Sequence, residues 1–142
     1  MKTFLALLAL SLPAVSATHV AYTHDLTNDP SASGISVEGT KGPWYLGSDY
    51  VSDSLFIRAG RTLFTTGQRD TNIRGLKGSA YFKFGVCYTK RNPEVVDSVL
   101  QYNTVLGVTL GPRVSIEFSH CSNAGASEVN RGYNFLSIRR AL

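Results

Sequence analysis

The chain is short of cysteine, of long apolar runs and of catalytic-looking side chains. Two cysteines among 142 residues, Cys87 and Cys121, are too few for a disulfide scaffold. Beyond the first seventeen residues no stretch approaches the roughly 18 apolar residues of a membrane-crossing helix, so any passage through a bilayer would fall to strands. No segment carries a 3.6-residue apolar period either, which argues against a helical bundle. The formal charge is +4, but the basic residues are scattered and form no run. Nucleic acid is therefore a poor candidate partner, while contact with an anionic surface stays open. Nothing in the residue pattern calls for a metal ion or an organic cofactor.

What is present begins with MKTFLALLALSLPAVSA, residues 1–17, which has one early lysine, an apolar run from Phe4 to Leu12, and small residues at Ser16 and Ala17. This is the pattern of a secretory signal peptide, with cleavage expected after Ala17. Its apolar core is too short to span a bilayer, and Pro13 interrupts it. Residues 18–142 then form a single small domain.

That domain reads as strands. In LQYNTVLGVTL, Leu100, Tyr102, Thr104, Leu106, Val108 and Leu110 share one face, while Gln101, Asn103, Val105, Gly107 and Thr109 share the other. Phe82, Phe84, Val86 and Tyr88 alternate with Lys83, Gly85 and Cys87, and Val114, Ile116 and Phe118 alternate with Ser115, Glu117 and Ser119. Fainter alternation surrounds Ile35 and Val37, and again Leu55 and Ile57. Turn chemistry separates the segments at Asn28-Asp29-Pro30, Gly42-Pro43, Asn92-Pro93 and Gly111-Pro112.

Two architectures fit. A soluble sandwich or lipocalin-like barrel turns its large residues inward; an outer-membrane barrel turns them to lipid and keeps a small, polar interior. Glu38, Arg58, Lys83 and Glu117 suit a charge-paired lumen, though they could equally face water in a sandwich. Eight strands of about ten residues, roughly 80 in all, leave room for the connections, whereas ten would not. The reading adopted is all-β, an eight-stranded antiparallel transmembrane β-barrel, with strands near 18–25, 33–41, 43–51, 54–64, 75–90, 96–110, 112–123 and 133–142. Residues 65–74 are long for a periplasmic turn. Cys87 and Cys121 then face the lumen from strands with another between them, a Cα spacing of about 10 Å that forbids a disulfide. Packed free thiols are expected.

One short stretch could carry chemistry: FSHCSNAG, residues 118–125. Residues two apart in a strand share a face, so His120 and Ser122 project together, on the side of Val114, Ile116 and Phe118. Polar groups on an apolar exterior are costly unless paired, and that cost invites a functional reading. Ser-Asn-Ala-Gly is also ordinary loop composition.

HCSNAG, followed by Asn130, Gly132 and a last strand from Tyr133, resembles the C-terminal signature of the lipid A 3-O-deacylases, the PagL-like family. The resemblance covers roughly residues 118–135, with strand pattern, leader and size agreeing outside it. It implies an eight-stranded outer-membrane barrel of a Gram-negative bacterium that hydrolyses the 3-O-linked acyl ester of lipid A in the outer leaflet, with lipopolysaccharide as substrate and no cofactor or metal. Ser122 would be the nucleophile and His120 the general base. Asn123, or its backbone N–H, would stabilise the oxyanion, and Asn130 would organise the site.

The sequence departs from the family where its triad glutamate is expected, since Asn134 stands there. An amide oxygen can accept from the histidine Nδ1–H but supplies no charge to stabilise an imidazolium. Glu128 is the nearest alternative carboxylate. Lys90, Arg91 and Arg131 could meet lipid A phosphates, although loop cations are usually just solvated. Counting strands from a periplasmic N-terminus makes Gly111-Pro112 a periplasmic turn and residues 124–131 an extracellular loop, which puts His120 and Ser122 at the outer end. The rival function is a non-catalytic small barrel with a structural or adhesion role. Oligomeric state cannot be read from the sequence.

Overall fold

The alternating segments form strands that close on themselves. The structure, a computed structural model, describes residues 16–27, 32–51, 53–67, 69–70, 77–90, 95, 99–125 and 131–142. Its strands are β1 (Ala17–Asp25), β2 (Ser33–Lys41), β3 (Trp44–Val51), β4 (Ser54–Thr65), β5 (Arg69–Asp70), β6 (Lys77–Thr89), β7 (Leu100–Leu110), β8 (Val114–Ser122) and β9 (Tyr133–Ala141). All strands but the two-residue β5 run as an antiparallel meander in which β4 pairs with β6 and β9 pairs back onto β1. The result is a closed eight-stranded barrel, the architecture adopted from the sequence, and closure pairs both edges of each of the eight long strands.

The segment that looked too long for a turn is partly ladder. β4 continues to Thr65, and β5 pairs Arg69 with Gly78 and Asp70 with Lys77, at the start of β6. The remaining expected strands agree with the observed ones to within a few residues at each end.

The two faces settle which way the barrel is turned. Along β7, Leu100, Tyr102, Leu106 and Val108 are exposed while Gln101, Asn103 and Val105 are buried. Leu106 is 59% exposed and Asn103 0%. β8 repeats this, with Val114, Ile116 and Phe118 outside and Ser115, Glu117 and Ser119 inside. Large apolar side chains outside and polar ones inside reverse the arrangement of a soluble barrel and suit an outer wall that faces lipid. No helix among the described residues is long and apolar enough to cross a membrane, so a crossing would be made by these strands.

The interior has two levels. In one, Lys83 Nζ donates to Glu38 Oε1 at 2.7 Å and to Glu117 Oε1 at 2.8 Å, and Arg139 pairs with the same two carboxylates. Arg58 pairs with Asp49 through two nitrogens, and Tyr81 donates to Glu117 at 2.7 Å. Gly107 makes the last contact possible. It lies in register between Tyr81 and Glu117, and a Cβ there would stand 2.2 Å from the Tyr81 ring. Without a side chain at 107 the tyrosine can lie across β7 and reach the carboxylate.

The other level is apolar. Val51, Phe56, Cys87, Cys121, Tyr133 and Phe135 form a buried cluster, with the Phe56 ring edge-on to Tyr133 at 4.9 Å and to Phe135 at 5.0 Å. Such pairs contribute about 0.5–1.5 kcal/mol beyond their burial. Cys87 and Cys121 are free and buried, on β6 and β8 with β7 between them. Cys121, Tyr133 and Phe135 come from the same ends of β8 and β9 that carry the candidate residues on their opposite face. The apolar cluster therefore backs the site.

Candidate active site

The pleat of β8 sends Cys121 into the barrel and leaves His120 and Ser122 together on the outer wall, both partly exposed. Register does the rest of the assembly. His120 pairs with Asn134 on β9 and with Thr104 on β7, while Ser122 pairs with Tyr102. His120 and Asn134 are thus direct cross-strand neighbours, the closest relation two side chains on one sheet face can have.

The two meet through a hydrogen bond of 2.9 Å between His120 Nδ1 and Asn134 Oδ1. A carbonyl oxygen only accepts, so the proton of this bond belongs to Nδ1. Nε2 is then the unprotonated nitrogen, available as a base. Gly132, with φ +68°, closes against the other side of the ring: a Cβ there would lie 2.4 Å from His120 Cε1 and 3.1 Å from Nε2. The left-handed backbone and the missing side chain are both needed for the loop to return to β9 beside the imidazole.

Asn134 is itself held from across the β1–β9 seam. Its backbone N–H donates to Thr27 Oγ1 at 2.6 Å, its side-chain Nδ2 reaches the same oxygen at 3.3 Å, and its carbonyl accepts from Leu26 N at 2.8 Å. Thr27 N in turn donates to Asp25 Oδ1 at 2.8 Å. Thr27 was not singled out in the sequence. It is separated from Asn134 by 107 positions, and no local pattern links the two.

Asn123 takes a different place from that of its neighbours. Its side chain is buried, and its Oδ1 accepts from Gly125 N at 3.0 Å, in a turn where Ala124 and Gly125 both have positive φ. The side chain shapes the start of the loop, while its backbone N–H directly follows Ser122 in the chain. Asn130 and Glu128 lie outside the described residues, as does Arg91. Lys90 and Arg131 are exposed, and Arg131 N donates to Val95 O at 2.9 Å.

Among the described residues no group of His, Cys, Asp and Glu could hold a metal ion. The outer-wall group of His120, Ser122, Asn134 and Thr27 carries no formal negative charge. Beside it on the same wall lies an apolar groove of about 520 Å³, lined by Ala80, Leu106, Val108, Ile116, Phe118 and Leu136. Phe118 is the next outward residue after His120 on β8. A hydroxyl, an imidazole with a free Nε2 and an adjoining apolar groove together suit acyl transfer on a lipid-like ester.

The family model described as lipid A 3-O-deacylase (PagL) matches residues 17–142, and the chain belongs to that family. Neither a curated protein nor a solved structure matches it.

Proposed function

Starting from membership of a deacylase family, we propose that this barrel is a serine esterase that removes the 3-O-linked acyl chain of lipid A in the outer leaflet of an outer membrane. The observation that carries the reading is the His120 Nδ1 to Asn134 Oδ1 hydrogen bond on the outer wall, two positions along β8 from Ser122. It leaves Nε2 as the basic nitrogen of a partly exposed imidazole on the outer wall, where a lipid ester would lie.

Ser122 Oγ attacks the ester carbonyl while His120 Nε2 takes its proton. The developing oxyanion is stabilised by the backbone N–H of Asn123, a term of about 3 kcal/mol in comparable sites. Collapse of the intermediate expels the sugar 3-oxygen, which takes the proton back from His120. Water, deprotonated by His120, then releases the fatty acid and regenerates Ser122. The groove along Phe118, Ile116 and Leu106 holds the acyl chain, and the absence of charged side chains from its lining keeps that contact with an acyl chain inexpensive.

The outer-membrane location rests on the inside-out faces and the family. Mass spectrometry of lipid A from Gram-negative cells expressing the chain tests the reading. Loss of one 3-hydroxyacyl group is expected. An unchanged lipid A profile, with the barrel folded in the membrane, would favour a structural or adhesive barrel instead.

A further inference from the structure

An asparagine in the place of a triad carboxylate creates a problem that a carboxylate does not have. Both oxygens of a carboxylate accept, so the histidine Nδ1 proton is held whichever oxygen faces it. An amide has one accepting and one donating end. Rotated by half a turn, Asn134 would offer Nδ2–H to His120 Nδ1, move the ring proton to Nε2 and leave no base for Ser122.

We infer that Thr27 is the positioning residue that holds the Asn134 amide with Oδ1 toward His120. Thr27 Oγ1 accepts from the Asn134 backbone N–H at 2.6 Å and lies 3.3 Å from Nδ2, on the side of the amide away from the imidazole. The hydroxyl is tied to the end of β1 by the bond from Thr27 N to Asp25 Oδ1, a side chain that is itself fully buried. The Leu26 N to Asn134 O bond of 2.8 Å fixes the distance between the two segments. The donor end of the amide therefore has an acceptor anchored to the barrel, and the acceptor end is left for His120. Since Thr27 comes from the β1 side and His120 from β8, the relay is complete only when β9 is zipped between them at the closing seam.

This inference rests on the esterase reading for its kinetic consequence but not for its structural one. The structural test is 15N NMR of histidine-labelled full-length protein refolded in detergent micelles, with the His120 ring assigned by comparison with His120→Asn. The expected result is the Nδ1–H tautomer in the wild type, its loss in the near-isosteric Thr27→Val, its retention in Thr27→Ser, and its recovery in Thr27→Val/Asn134→Glu, where the carboxylate accepts in either orientation. Kinetically, Thr27→Val should lower kcat on lipid A at least about tenfold with KM unchanged, against about 10⁴ for a histidine held wholly in the wrong tautomer. The double variant should regain the rate. A wild-type ring protonated at Nε2, an unchanged tautomer and kcat in Thr27→Val, or an equal loss in the double variant would each overturn the assignment. Absence of turnover in the wild type with the tautomer pattern as expected would instead remove the esterase reading and leave the positioning role standing.

Discussion

Inside the barrel Lys83 and Arg139 each face both Glu38 and Glu117, while on the wall outside His120 faces the uncharged amide of Asn134. The interior group is rich in charge and chemically quiet. Each cation there is matched by carboxylates, as burial in a medium of low dielectric demands. The exterior group has little polarity, yet its hydrogen bonds form a line, Thr27 to Asn134 to His120, that ends at His120 on the face of β8 that also carries Ser122. On the proposed reading, reactivity follows from which polar atoms are left over, while strong charge holds strands together.

The sharpest way to break that contrast is to change one residue from each group and read both stability and turnover. Ser122→Ala should reduce deacylation at least about 10³-fold. Its unfolding free energy in micelles should stay within about 0.5 kcal/mol of the wild type. Full activity in this variant would sink the nucleophile assignment. Glu117→Ala should do the reverse, costing about 3–5 kcal/mol because Lys83 and Arg139 would be left to share Glu38 in a buried space. Urea titration of the refolded barrel checks this, and a loss below about 1 kcal/mol would mean that the cluster is dispensable to the fold.

A third change tests the wall that carries the site. Leu106→Arg should cost about 2–4 kcal/mol if the residue meets lipid near mid-membrane. Single cysteines at Leu106 and Val108, placed in a Cys87→Ser/Cys121→Ser background and labelled with an environment-sensitive probe, should be quenched strongly by lipid-borne quenchers. A probe at Asn103 should be quenched little. Equal quenching on the two faces would remove the lipid-facing site. The smallest expected effect comes from importing the interior's charge to the exterior: Asn134→Glu should keep the rate or raise it by about tenfold, since a carboxylate stabilises the imidazolium that an amide only orients. Complete loss of activity in a folded barrel would show that Asn134 does not occupy the triad position.

The legible parts of the molecule were those written in local order. Alternation of Leu100 to Leu110 and of Val114 to Phe118 revealed both strands and the contents of each face, because a pleated strand converts sequence parity directly into side-chain direction. His120 and Asn134 are associated in the sequence only through the resemblance to the deacylase family, whose triad glutamate is expected where Asn134 stands; register then makes the two cross-strand neighbours. The orientation of the barrel was less plain. Glu38, Arg58, Lys83 and Glu117 read the same way in a sandwich whose charged face meets water, and only their burial told the two apart. β5 escaped notice because two paired residues have no period to detect.

Local sequence by itself determined the eight long strands, which residues share each face, and the placement of Ser122 with His120 on one face of β8, all of them consequences of the two-residue repeat of an extended chain. Only the closed tertiary structure decided which charges meet across the lumen, how Tyr81 crosses Gly107 to Glu117, and that Thr27 stands behind Asn134. Those contacts join strands far apart in the chain, and their partners depend on the curvature, the register and above all the β1–β9 seam that closing the barrel imposes.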